Sequence, residues 1–251
     1  MTLQIDKPRF NLIAGPNGAG KSSLYRMQVD DKVFATSTEF INADIYEKTQ
    51  LQHIVNLEER SLAARQWADT RRETLIAQRQ DFISETVFSH PSKLDLILEA
   101  QSAGYFVTLY VVCVDDPNLL LKRVAKRVSE GGHDVPTERI LARYARMRQL
   151  LKQAIRVADV AFLYDSAEAE QGGAPDIKLF AIVDGDAHGL IQDKLPDWGT
   201  EMLGLPVRGE FVLTADELAR AAVADEWMKN NPPSETNLEE LEKQAMLFKS
   251  K

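Results

Sequence analysis

Cysteine occurs once in the 251 residues, at Cys113. No internal disulfide can form, which suits a reducing, cytoplasmic compartment. Flanked by Val111, Val112 and Val114, the thiol reads as a small buried hydrophobe. Positive charge is also in deficit: the formal net charge is −8, which argues against broad attraction to nucleic acid. Long apolar runs are missing too, since residues 106–114 are broken by Thr108 and closed by Asp115 and Asp116. Nothing of that length and composition crosses a bilayer, and the first seven residues lack the basic-then-apolar order of a secretory signal. These absences predict a cytoplasmic protein with neither nucleic acid nor membrane among its partners.

What is present is a chain 44% hydrophobic, enough for one substantial core. Lysines and arginines crowd between Lys122 and Arg156, whereas the stretch after Pro206 is rich in acids. A local basic cluster in an acidic chain suggests a small anionic ligand rather than a polymer.

Strand-length apolar runs alternate with stretches of helical period, the mark of a layered α/β fold. Strands are expected at residues 9–14, 40–43, 82–87, 106–114, 160–164 and 177–183. Helices are expected at 20–28, 57–80, 91–103, 117–128 and 137–157, the last with Thr137 as N-cap. Residues 130–136 and the Gly-Gly-Ala-Pro of 172–175 read as loop and turn. Right-handed crossovers then give a mostly parallel central sheet with helices on both faces. Pro206–Gly209 reads as a boundary, with two further helices at 214–229 and 236–248. The division is therefore a domain at 1–205 and a helical C-terminal extension at 206–251.

Gly15-Pro16-Asn17-Gly18-Ala19-Gly20-Lys21-Ser22 matches G-x-x-x-x-G-K-[ST] at every fixed position, between a strand and a helix. Its glycines allow the backbone to turn tightly and aim amides at a β-phosphate, at the positive end of a helix. Lys21 sets a compact charge between the β- and γ-phosphates, and the Ser22 hydroxyl is a ligand for Mg²⁺. Ser23 follows as a further nucleotide contact. The fold class predicted is thus a P-loop NTPase three-layer α/β fold, binding ATP and Mg²⁺. An ABC ATPase would need an LSGGQ-like segment and a GTPase an Asn-Lys-x-Asp guanine reader, and neither occurs. Asp115-Asp116 superficially resembles the acidic strand end of an ABC ATPase, but Pro117 and a helix follow at once, as in a plain β–α turn.

Four separated pieces remain: Phe40-Ile41-Asn42-Ala43-Asp44; Phe82-Ile83-Ser84-Glu85-Thr86; Arg123 to Val128 leading into Gly131-Gly132-His133-Asp134-Val135-Pro136, with Arg143-Tyr144 beyond; and Ala158 to Ser166. In this order they resemble the zeta toxin family of P-loop kinases, bacterial proteins typified by the toxin of epsilon–zeta toxin–antitoxin pairs. The resemblance runs from about Arg9 to Asp186. It implies phosphorylation of a sugar hydroxyl on UDP-N-acetylglucosamine and an antitoxin protein as partner.

Carried over residue by residue, the resemblance makes Asp44, at the end of the second strand, the catalytic base that accepts the proton of the attacking hydroxyl. Without the family pattern a helix-capping role for Asp44 is equally open. Glu85 and Thr86 would bind the acceptor, with Ser89 and His90 as weaker candidates. Arg127 and Arg143 would stabilise the transferring phosphoryl, with Arg123, also a nucleotide contact, and Arg139 in reserve; a solvated basic helix face is the bland alternative. His133 would shape the turn between the two arginine-bearing helices. Asp165-Ser166 lies where the adenine is approached, although relatives carry Asp-Asn-Ser there. The acidic extension is either a packing or dimerisation element or a restraint laid over the basic cleft.

Overall fold

The computed structural model describes residues 7–129, 136–167, 175–192 and 194–205. Among these the elements run β1 (Arg9–Ala14), α1 (Lys21–Asp30), β2 (Glu39–Ile41), α2 (Ala43–Gln50), α3 (Leu57–Gln78), β3 (Phe82–Thr86), α4 (Ser92–Ser102), β4 (Phe106–Cys113), α5 (Pro117–Ser129), α6 (Thr137–Val157), β5 (Val160–Ala167), β6 (Asp176–Asp184), β7 (Ala187–Leu190) and α7 (Asp197–Leu203). The strands form one sheet in the order β2-β3-β1-β4-β5-β6-β7. Pairing is parallel from β2 to β5 and antiparallel from β5 to β7. The result is the expected three-layer α/β architecture.

Strand β1 sits between β3 and β4, in register from Phe10↔Phe82 to Ala14↔Thr86 on one side and from Arg9↔Phe106 to Ala14↔Val111 on the other. The chain leaves β1 toward β2 and later crosses to β4, so the connections diverge at its carboxyl end. Open α/β sheets bind ligands in the crevice that such a divergence leaves. Buried residues fill β1 and β4 almost without interruption, as a strand covered on both faces requires. Phe10 stacks on Phe82 at 4.3 Å, and Tyr110 stacks on Phe162 at 5.3 Å.

Helix α3 shows how a charged sequence still makes a packed helix. Its buried residues Ala64, Ala68, Arg72 and Leu75 lie on one stripe. Asn56 caps the start by accepting from Glu58 and Glu59 amides at 2.9 and 3.2 Å. The buried Arg72 guanidinium donates to Ser84 Oγ at 3.1 Å, and Asp69 accepts from both Arg72 and Lys93.

Several features depart from the sequence expectation. Helices α2 and α7 and strand β7 are additional elements. Thr137 is not the cap of α6: Pro136 occupies that position without a side-chain cap bond, and Thr137 is the first helical residue. Of the turn at 172–175, only Pro175 is described. The loop at 130–135 with His133, and the helices expected at 214–229 and 236–248, lie outside the described residues. No helix among the described residues is long and apolar enough to cross a membrane.

Candidate active site

The loop between β1 and α1 is shaped by contacts that only glycine permits. A Cβ on Gly15 would stand 2.1 Å from the Val112 carbonyl oxygen, inside any allowed contact. Gly18 has φ 85°, in the left-handed region, with its missing Cβ 2.8 Å from the Leu120 oxygen. Gly15 N–H donates to Thr86 O at 3.3 Å and Ala19 N–H to Pro16 O at 3.2 Å, which closes the turn. Helix α1 then begins with no side-chain cap at its N-terminus. Its leading amides and dipole face the loop, the arrangement that receives phosphate.

Glu85 is the hub of the cradle. It is the penultimate residue of β3, beside Ile13 of β1, and its Oε1 lies 3.6 Å from the Lys21 ammonium, both side chains being about nine-tenths buried. Lys21 also donates to Pro16 O at 3.2 Å. The exposed Ser22 hydroxyl donates to Glu85 Oε2 at 3.2 Å, and Asn42 Nδ2 donates to the same oxygen at 2.9 Å. The carboxylate expected to face an acceptor is thus bound to Lys21 and Ser22 of the P-loop. Thr86, its neighbour, accepts from the Phe88 amide at 3.2 Å and supports a turn in which the fully buried Phe88 takes φ 58°. His90 is exposed, and its Nδ1 accepts from the Ser92 amide at the start of α4. Ser89 is partly buried between them.

Asp44 stands in a different local structure from the one expected. Rather than ending the second strand, it lies in the first turn of α2. Nor is it the cap: Asn42, extended at φ −137° and ψ 113°, accepts from the Ile45 amide at 3.1 Å and starts the helix. The Asp44 carboxylate is exposed and lies within electrostatic reach of Arg143 on α6. Partial burial, followed by the guanidiniums of Arg139, Arg65 and Arg146, draws the Arg143 pKa down, and Asp44 opposes this. Arg65 comes from α3, so cations from two helices gather around Arg143. Arg127 is partly buried in the last turn of α5.

At the other end of the loop, Arg123 is a clamp. Its guanidinium donates to Gly18 O at 3.4 Å, Ser166 Oγ at 2.9 Å, Ser166 O at 3.2 Å and Ala167 O at 2.7 Å, tying the P-loop to the end of β5. Ser166 is fully buried, and Ile177 Cδ1 comes within 3.2 Å of a Cβ position on Gly20. Asp165 accepts from the Trp198 indole at 2.9 Å, and burial raises its pKa above the ordinary aspartate range. Asp115 accepts from the backbone amides of Asp197 and Trp198 at 3.1 and 2.7 Å, while Asp116 accepts from Asn118 N at 2.8 Å. Asp116 thus serves the start of α5, as a plain β–α turn would have it, whereas Asp115 holds the start of the distant α7.

Sequence reasoning missed Asn42, Arg65 and the α7 anchor Trp198. Asn42 carried a signal, an N-cap residue type ahead of a short helical stretch. Arg65 and Trp198 carried none, because each meets its partners only through tertiary packing.

In solved structures the chain resembles one chain of the AvrRxo1-ORF1:-ORF2 complex crystallised with ATP, at 14% identity and TM-score 0.60, covering 88% of this chain and 76% of that one. It also resembles a structure from the PezAT chromosomal toxin–antitoxin system of Streptococcus pneumoniae, at 12% identity and TM-score 0.52, covering 90% of this chain and 87% of that one. At such identities the likeness is one of fold. No curated protein matches the sequence. The zeta toxin family model matches residues 2–169, more than half of the chain. With a P-loop cradle on the matching fold, the chain belongs to the zeta toxin family of ATP-dependent P-loop kinases.

Proposed function

We propose that this kinase transfers the γ-phosphoryl group of ATP to a sugar hydroxyl of a UDP-activated amino sugar such as UDP-N-acetylglucosamine. One observation carries the reading: α2, whose first turn carries the exposed Asp44, is joined through Asn42 to the Glu85 that touches Lys21 and Ser22, while Asp44 lies within electrostatic reach of Arg143 on α6. In this reading a base and a cation stand at the rim of a phosphate cradle.

The step balances simply. The acceptor hydroxyl gives its proton to Asp44 as its oxygen bonds the γ-phosphorus, the bond from that phosphorus to the β-bridging oxygen breaks, and ADP leaves. Backbone amides of the loop and helix start, chiefly those of Gly18, Gly20, Lys21 and Ser22, would hold the phosphates, and the Lys21 side chain would neutralise charge shared by the β- and γ-groups. Arg143, and Arg127 at the end of α5, would balance charge on the transferring group, the dominant contribution in phosphoryl transfer. The hard oxygens of Ser22 and Glu85, 3.2 Å apart, fit Mg²⁺, an ion commonly held by one carboxylate plus substrate phosphates. When bound, it would supply neutralisation of phosphate charge. Arg123 acts as the clamp that fixes the P-loop against the adenine side rather than as a phosphate ligand. Thr86 supports the acceptor side by holding the turn at Phe88. Residues 1–205 form the kinase unit in this reading, and 206–251 the extension.

A protein partner of antitoxin type fits the same reading, since the two similar structures come from a two-protein complex and a toxin–antitoxin system. The reading also keeps the protein in the cytoplasm, where UDP-sugars and ATP meet. Incubation with γ-labelled ATP and a panel of UDP-sugars tests it, comparing wild type with Asp44→Asn and Lys21→Ala. Label on a sugar in wild type only is the expected result. Label solely in free phosphate would make the protein an ATPase module acting on a macromolecule, and label on another small molecule would change the acceptor.

A further inference from the structure

Asn42 is only 6% exposed, and both ends of its side-chain amide are engaged. The oxygen accepts from the Ile45 amide at 3.1 Å and so caps α2, while the nitrogen donates to Glu85 Oε2 at 2.9 Å. The orientation of the amide is dictated by its partners, because a backbone N–H can only donate and a carboxylate can only accept. One small side chain thus joins two elements. On one side is the helix whose first turn carries Asp44. On the other is the carboxylate that also meets Ser22 at 3.2 Å and Lys21 at 3.6 Å.

No other common cap residue can do both jobs. Serine caps a helix well but is too short, and has no amide, to reach a partner across the sheet edge. Aspartate caps equally well but would set a second carboxylate against Glu85. The amide is therefore more than the cap requires, and its surplus donor is spent inside the cradle.

We infer that Asn42 is a positioning residue: it holds Glu85 and the start of α2 in one fixed relation and so sets where Asp44 stands relative to the P-loop. This rests on the assignment of Asp44 as the base. Misplacement of a reacting group by about 1 Å costs on the order of 10²-fold in rate, which sets the size of the expected effect. Because Asn42 touches neither nucleotide nor acceptor in this scheme, its loss should fall on kcat.

The test compares Asn42→Ser and Asn42→Asp, which keep the cap, with Asp44→Asn. Turnover of γ-labelled ATP with UDP-N-acetylglucosamine is read both as label on the sugar and as free phosphate, so the outcome does not hang on the acceptor. Asn42→Ser should melt near wild type, keep KM for ATP within about twofold, and lose kcat by on the order of 10²-fold; Asn42→Asp, which sets a second carboxylate against Glu85, should lose kcat at least as much and melt lower. A wild-type kcat in Asn42→Ser, or a loss confined to KM, overturns the inference. If Asp44→Asn is inactive while Asn42→Ser turns over normally, only the role of Asn42 is wrong. If Asp44→Asn turns over at the wild-type rate, the base assignment itself falls, and this inference with it.

Discussion

The Lys21 ammonium lies 3.6 Å from the Glu85 carboxylate, and each side chain is about nine-tenths buried. A lysine this buried needs an opposite charge beside it, and Glu85 supplies one. Triphosphate would bring more negative charge to Lys21 than one carboxylate does; in the proposed reaction it would re-pair the lysine and leave Glu85, with Ser22, to hold Mg²⁺. Glu85→Gln should therefore raise the Mg²⁺ concentration for half-maximal turnover by about 10–100-fold, the usual range for loss of a metal-supporting group. Nucleotide binding without the metal should change far less. Titrating Mg²⁺ against turnover checks the first claim, and equilibrium binding in chelator checks the second. An unchanged Mg²⁺ requirement would return Glu85 to the acceptor side.

The arginines of this cluster are not equivalent. Arg143 is partly buried, and its pKa is drawn down by that burial and by Arg139, Arg65 and Arg146, all three exposed. In the proposed reaction it would be the cation that meets the developing charge. Arg143→Ala should lower kcat by about 10³–10⁵-fold, as removal of a phosphoryl-stabilising arginine does. Arg65, exposed on α3, should matter for capture of an anionic acceptor, so Arg65→Ala should raise its KM and leave kcat nearly unchanged. Steady-state kinetics with the acceptor varied separates the two. Equal losses in kcat for both variants would show one undivided cluster.

How much of this was legible in the sequence depends on where each signal lives. Strand β1 at Arg9–Ala14 and helix α6 at Thr137–Val157 are found at the bounds expected, because a P-loop and a Gly-Pro break mark their ends locally. Helix α2 was hidden: eight residues give barely two turns, too few for a period to show, and its cap Asn42 and first residue Ala43 passed for strand. Helix α7 has seven residues, and its one strong feature, Trp198, has meaning only against Asp165 and Phe180. The cradle residues were named from their motif, but the Glu85 contacts with Lys21 and Ser22 required β3 to lie beside β1. Pairing of distant strands is not written in either strand alone.

Trp198 is fully buried, edge-on to Phe180 with ring centroids 5.1 Å apart, and its indole donates to Asp165. Trp198→Ala removes packing and leaves Asp165 without its donor, so it should destabilise by about 3–5 kcal/mol. Asp165→Asn should act in the opposite direction. Burial raises the folded-state pKa of Asp165 above its unfolded value, so its stability contribution is full below the unfolded pKa and declines as pH rises through the folded one. The amide oxygen of asparagine still accepts from the indole, without a charge to desolvate. Melting temperatures should therefore favour Asp165→Asn at neutral pH, with the advantage shrinking as the solution is acidified through the raised pKa. An advantage that grew on acidification would reverse the assignment.

Cys113 closes β4 in full burial, and burial pushes its thiol up to about 12. Thiolate is the reactive form, so a disulfide reagent at neutral pH should find Cys113 inert until the sheet opens. Its modification rate then measures that opening. A ligand that binds only the folded state adds RT ln(1 + [L]/Kd) to stability, which is about 2.7 kcal/mol at 100 times Kd. Where reclosing is faster than modification, ATP with Mg²⁺ at that concentration should slow labelling by about 100-fold. Lys21→Ala should label at a rate that nucleotide barely changes. The same experiment thereby reports nucleotide binding without any acceptor, and rapid labelling of the native protein would show that the end of β4 opens locally, independently of the core around it.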